Sequence, residues 1–260
     1  MNSISPAPLK PLRATISDAE WKARVDLAAG YRLAELYGMS DMIYTHISAR
    51  VPGEPDHFLI NAHGMLFDEI TASSLLKVDL DGKIAYKPDN GYGLQVAGFV
   101  IHSALYRARP DVMAVMHTHT VAGMAVSSMK CGLIPLTQTS TRFYTRIAYH
   151  DFNGPERDPG EREHLAKDLG HYNLMILRNH GLLTVGPSLP EAFNFMYGME
   201  RSCQAQIAAM SANTELNELP QAVVDKAVAM YEPGVIRPYG VLEWPALLRK
   251  LDRIDPSYRD

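Results

Sequence analysis

Cysteine is nearly absent from this chain. Two residues, Cys131 and Cys203, stand in 260, and they form no CxxC pair. That excludes a disulfide-built scaffold and a thiolate zinc framework, and it points to a reducing, cytoplasmic compartment. An excess of positive charge is also missing: 25 Lys and Arg face 29 Asp and Glu, with no long basic run. A nucleic-acid partner is therefore not expected. No apolar stretch approaches the ~20 residues that cross a bilayer. Residues 1–14 hold three prolines and no apolar h-region, so neither a membrane helix nor a secretory signal is expected. No GxGxxG follows a strand-like run and no P-loop occurs, which leaves those two forms of nucleotide binding unsupported. Repeats and Gly/Ser linkers are missing too, so the 260 residues, 47% hydrophobic, are expected to form one core.

What is present reads as alternating helices and strands. Residues 1–16 form an irregular arm and 17–260 the domain. Ser17 and Glu20 have capping-box spacing ahead of Trp21, Val25, Ala28, Tyr31 and Leu36, and Gly38 fits the position that ends the helix. Strand-like segments are predicted at 43–50 and 58–60, joined by a turn at 51–56, and a hairpin around Asp81-Gly82. A helix over 94–108 ends at Arg109-Pro110. Further strands are expected at 112–116, 146–149, 174–177 and 182–185, and helices at 120–129, 161–169 and from Ser188 to about 212. Residues 133–160 read as mostly loop. A helical tail begins at about 219, with helices at 220–230 and 244–252 and a turn at Pro233-Gly234 between them. The alternation predicts a layered α/β domain.

Histidines carry the chemistry. His117 and His119 lie two apart where an apolar strand ends, so both imidazoles point to one face of a sheet. His180 stands at a comparable place, after the apolar run 174–177 and before Gly181. Three neutral imidazoles leave an open position on a divalent metal, the arrangement of a catalytic rather than a closed structural site. Zinc suits this donor set first, with iron and manganese as alternatives.

Six ordered motifs carry a family resemblance. They are the segments 97–120 (Ala-Gly-Phe-Val-Ile-His, ending His-Thr-His-Thr), 45–50 (Thr-His-Ile-Ser-Ala-Arg), 61–71 (Asn-Ala-His-Gly through Thr71), 128–133, 148–151 and 177–181 (Leu-Arg-Asn-His-Gly). Together, over roughly residues 18–215, the chain resembles the class II aldolase/adducin domain. The resemblance implies a single-domain three-layer α/β/α fold with a central mixed or antiparallel sheet. It also implies a homotetramer, and a metal held by His117, His119 and His180.

The chain departs from the sugar-phosphate aldolases of that family where their catalytic glutamate and phosphate-binding serines stand. Gly98 occupies the glutamate position, and His63, Val96 and Ala97 occupy those of the serines. Valine and alanine side chains offer a phosphate no donor, so a small non-phosphorylated substrate is expected. The first functional expectation is a metal-dependent carbon–carbon lyase, a decarboxylase or aldolase-like enzyme acting on a hydroxy, oxo or aromatic carboxylate. His63, Tyr144 and Tyr149 are its candidate catalytic residues. His46, Arg142 and Arg146 are candidate substrate-binding residues, and His102 reads as a buried helix histidine bonded to a neighbour. Two alternatives share the fold: a non-haem iron oxygenase, and a non-catalytic adducin-like binding module.

Overall fold

The first helix begins where Ser17 accepts the backbone N–H of Glu20, a cap that stabilises a helix by about 1 kcal/mol. In a computed structural model, which describes residues 11–154, 159–232 and 234–260, that helix is α1, Asp18–Leu36. Gly38 follows it with φ +67°, the left-handed turn expected of its glycine. The other helices are α2 (Val96–Ala108), α3 (Val121–Ser127), α4 (Gln138–Thr141), α5 (Pro159–Leu169), α6 (Leu189–Ser211), α7 (Gln221–Met230) and α8 (Trp244–Ile254). The strands are β1 (His46–Val51), β2 (Glu54–Ile60), β3 (Leu76–Asp79), β4 (Ile84–Tyr86), β5 (Ala114–Thr118), β6 (Ile147–His150), β7 (Leu174–Leu177) and β8 (Gly181–Gly186).

The strands form one sheet in the order β4-β3-β2-β1-β5-β8-β7-β6. Every neighbouring pair is antiparallel except β6 and β7, so the sheet is mixed. Its centre, β5 beside β8, is buried along its whole length, which is why both strands are mostly apolar. Helices cover both faces. From α1, the Tyr31 hydroxyl bonds the backbone of Ile47 and the Asn61 side chain. From α2, His102 meets His46 and Ser48, the residues that alternate with Ile47 and point the other way. The helices α1 and α6 pack together on one face, α2 and α5 on the other. The expected three-layer α/β/α domain results.

Three differences from the sequence reading stand out. The strand β2 starts at Glu54, so the turn before it shrinks to Pro52-Gly53, with φ +81° at the glycine. The segment read as loop carries a short helix, α4, whose N-cap Thr137 accepts the Ser140 N–H. His180 sits in the tight turn between β7 and β8 rather than on a strand. Residues 1–10 of the expected arm, 155–158 of the loop, and Pro233 of the expected turn lie outside the described residues. The tail folds back on the domain: Trp244 donates from Nε1 to Asp26, and Tyr258 is fully buried. Among the described residues, no helix is long and apolar enough to cross a membrane.

The register defines two ends of the sheet. At one end lie the first residue of β1, the C-terminal ends of β2, β5, β6 and β7, and the start of β8. His46, His117 and His150 lie in strands there, and His63, His119 and His180 lie just beyond strand ends. At the other end β6 and β7 begin and β8 finishes.

Candidate metal centre

His117 is the penultimate residue of β5 and pairs across the sheet with His46 on one side and Leu183 on the other. His119 follows the strand with the same parity, so its ring returns to the same side. The turn that delivers His180 depends on its neighbours. Asn179 takes φ +58°, a left-handed conformation that asparagine tolerates better than most side chains. Gly181 is needed because a Cβ there would lie 2.3 Å from the Thr118 carbonyl oxygen. The Asn-His-Gly tripeptide is thus a backbone solution for bringing one strand's turn against the end of another.

The three imidazoles converge. The Nε2 atoms of His117 and His119 are 2.8 Å apart, and those of His119 and His180 are 3.0 Å apart. The ring centroids of His117 and His180 lie 4.7 Å apart. Ligands at 2.0–2.1 Å in a tetrahedron would stand roughly 3.3 Å from one another, so the spacing is close to that of a shared ion. The outer nitrogens explain the orientation. His117 Nδ1 meets the Leu182 carbonyl at 2.9 Å, and His119 Nδ1 meets the Asp41 carboxylate at 3.3 Å. Both partners are acceptors, so each Nδ1 carries the hydrogen and each Nε2 turns a lone pair inward. Burial, helped by the surrounding imidazoles, holds His117 well below the usual histidine range and disfavours a proton as the bridge. Lone pairs that face each other at 2.8 Å fit a divalent cation between them, and acceptors bonded to the outer nitrogens fix the tautomers of metal-binding imidazoles.

A second pair of histidines lies behind the triad. His46 Nδ1 is 2.7 Å from His102 Nε2, and His102 Nδ1 continues to the Ser48 hydroxyl, itself 2.8 Å from the Tyr106 hydroxyl. All four residues are buried. Burial pushes His102 down to about 3 and His46 well below its ordinary value, so both rings are neutral at pH 7. The His46 ring is 5.3 Å, centroid to centroid, from that of His117. It also explains Gly98. A Cβ on that residue would lie 2.5 to 2.9 Å from three atoms of the His46 ring. The imidazole fills the space into which any side chain at position 98 would project.

The other sequence candidates divide by location. His63 lies past the end of β2, at the histidine end, where its backbone N–H bonds Gly93 and its buried Nδ1 has no partner. Tyr149 receives the Leu133 N–H on its hydroxyl and stacks under Arg178, so it packs the Gly132 turn. Tyr144 sits just past α4, between the Ser140 backbone bond and the left-handed Thr145. Arg142 and Arg146 are not brought to the triad. Arg142 bonds Asn194 and lies under Tyr239, while Arg146 bonds the Tyr231 and Val228 carbonyls and Glu232, all at the opposite end of the sheet. Residues 133–147 lack a period that would say which end of β6 each arginine flanks. Asp41, Ser48 and Tyr106 were missed: their partners lie 54 to 78 residues away in sequence, and no local pattern marks them.

Comparison with known proteins gives the family and the fold. The family model described as "Class II Aldolase and Adducin N-terminal domain" matches residues 25–207. A solved aldolase II superfamily protein from Pseudomonas syringae is 51% identical, covers 96% of this chain and 100% of its own, and superimposes with a TM-score of 0.89. An L-fuculose 1-phosphate aldolase from Glaciozyma antarctica is 27% identical over 98% of this chain and 97% of its own, with a TM-score of 0.82. Alpha-adducin of Rattus norvegicus is 44% identical over 79% of this chain and 28% of its own length.

Proposed function

The chain belongs to the class II aldolase and adducin N-terminal domain family, and from that premise we propose that it is a metal-dependent carbon–carbon lyase for a small non-phosphorylated carboxylate. The observation that carries the reading is the convergence of three Nε2 atoms, with an imidazole rather than a carboxylate beside them at Gly98. His117, His119 and His180 would hold the ion, zinc first and manganese or iron next. A metal so held supplies Lewis acidity toward a carbonyl or phenolate oxygen as negative charge develops there during bond cleavage.

The chain's own residues supply the rest. The His102–Ser48–Tyr106 chain fixes the His46 ring through Nδ1 and leaves Nε2 as the atom that meets the substrate. A neutral ring there holds or returns a proton without adding charge beside the metal. His63, with an unpartnered Nδ1 at the same end of the sheet, is the second candidate proton donor. Tyr144 is a third, and Tyr149 contributes packing. Val96 and Ala97, at the start of α2, present no donors to a phosphate. With no carboxylate base at position 98, loss of carbon dioxide is the favoured step, since it requires no prior deprotonation by the enzyme. We place the protein in the cytoplasm as a homotetramer acting on a small molecule.

The test is a panel of 2-hydroxy, 2-oxo and hydroxylated aromatic carboxylates given to enzyme loaded separately with zinc, manganese and iron(II), with carbon dioxide, cleavage products and dissolved oxygen followed together. Carbon dioxide or aldehyde release without oxygen uptake supports the lyase. Oxygen uptake coupled to substrate replaces it with an iron oxygenase. A second reading, a binding module of the adducin kind, draws on the 44% identity to alpha-adducin; inertness of the loaded protein toward the whole panel would favour it.

A further inference from the structure

At the end of the sheet away from the histidines lies a cavity of about 540 Å³, walled by the segments before β6 and β7, the residue after β8, the start of α6 and residues 231–232 and 234–239. That volume falls within the ~300–1,000 Å³ of small-molecule sites. None of its lining residues belongs to the metal centre. The six residues of β8 separate the two, a span of roughly 20 Å at ~3.3 Å per residue.

One arginine of the cavity wall has no ion pair among the described residues. Arg146 is paired with Glu232 and Arg237 with Glu243. Arg142 pairs with no carboxylate among the described residues. Its Nη1 donates to Asn194 Oδ1 at 2.8 Å, and its buried Nη2 has no acceptor. Glu191, also in the wall, is occupied by the Ser188 hydroxyl. Burial lowers Arg142 to about 10, which still leaves it a cation at neutral pH. A half-buried guanidinium whose buried Nη2 has no acceptor is costly unless an anion meets it. The surroundings state what else the anion must carry. The Tyr239 ring lies 3.9 Å over the guanidinium, and the rings of Phe143 and Phe195 lie at 5.0 and 5.5 Å. Of these rings Phe195 and Tyr239 are partly exposed in the cavity wall, where a flat apolar body can lie beside them.

We infer that this cavity is a second binding site, distinct from the metal centre, for a small aromatic carboxylate whose carboxylate bonds Arg142 and whose ring lies beside Tyr239 and Phe195. Nη2 is shielded in this structure, so the stacked Tyr239 ring shifts as the carboxylate enters.

The test uses the full-length protein and benzoate as the probe, by calorimetric titration and thermal shift. Benzoate is expected to bind saturably, to raise the melting temperature with concentration, and to do so equally in the His117→Ala/His119→Ala double variant. Arg142→Gln is expected to weaken it about tenfold or more, as loss of a hydrogen bond to a charged group does. Benzylamine, the same ring with the opposite charge, is expected not to bind. Should Arg142→Gln fail to fold, a crystal structure of the wild type with benzoate decides: the carboxylate against Arg142 supports the site, and benzoate elsewhere overturns it. Absence of saturable binding, binding unchanged in Arg142→Gln, loss of binding in the histidine double variant, or equal binding of benzylamine would each overturn it.

Discussion

The two ends of the central sheet bury ionisable side chains to opposite effect. At one end the rings of His46, His102 and His117 are pushed below the ordinary histidine range by burial, and nitrogen lone pairs face a common point. At the other end Arg142 is half-buried among aromatic rings and keeps its charge. An imidazole sheds its proton when it is desolvated, and a guanidinium cannot. The same sheet therefore offers a donor set for a cation at one end and a donor for an anion at the other. The sign of each site follows from which basic residue is buried, not from how deeply it is buried.

The largest effect expected from breaking this contrast comes from Gly98. Gly98→Glu forces a side chain into the His46 ring and should cost about 3 kcal/mol, the upper range for overpacking. Adding His46→Gly should recover part of that, with a coupling of about 1–3 kcal/mol in a denaturation cycle. Additive losses would show that the two residues do not share that space.

The next effect is on pH. His102 binds its proton at about 3 in the folded chain and near 6.5 when unfolded. Its contribution to stability is complete above pH 6.5 and is lost as the pH falls from 6.5 towards 3. At pH 5 the loss should be about 2 kcal/mol for this residue. Urea denaturation at pH 7.5 and pH 5 measures it, and His102→Gln should flatten the profile by about 1.4 kcal/mol per pH unit. An equal slope in the variant would remove His102 from the account.

Parts of the histidine end could be read from sequence and parts could not. The His-x-His spacing, both Ser caps and the Asn-His-Gly turn are local, because each depends on residues within a few positions of one another. The strand order is not, and neither is the pairing of His46 with His102, 56 residues apart. Gly98 was visible as a departure from the aldolase pattern, but its reason, the ring of His46, needs β1 and α2 placed face to face. The arginine end was read least well, since Arg142 and Arg146 lie in an aperiodic segment and their partners come from α6 and the tail.

Two smaller effects separate the ends. Asp41→Asn weakens the acceptor that orients His119 and should lower zinc affinity about 10–100-fold, read by competition with a chromophoric chelator. Ser188→Ala removes the cap of α6 at the arginine end and should cost about 1 kcal/mol of stability with zinc affinity unchanged.

The central claim is that His117, His119 and His180 form one metal centre, and zinc stoichiometry tests it most directly. Metal-free wild type should take up about one equivalent of zinc per chain. The His117→Ala/His119→Ala variant, with its far-ultraviolet circular dichroism intact, should take up none at the same concentration. Equal zinc uptake by the two proteins, or no uptake by the wild type, would contradict the account.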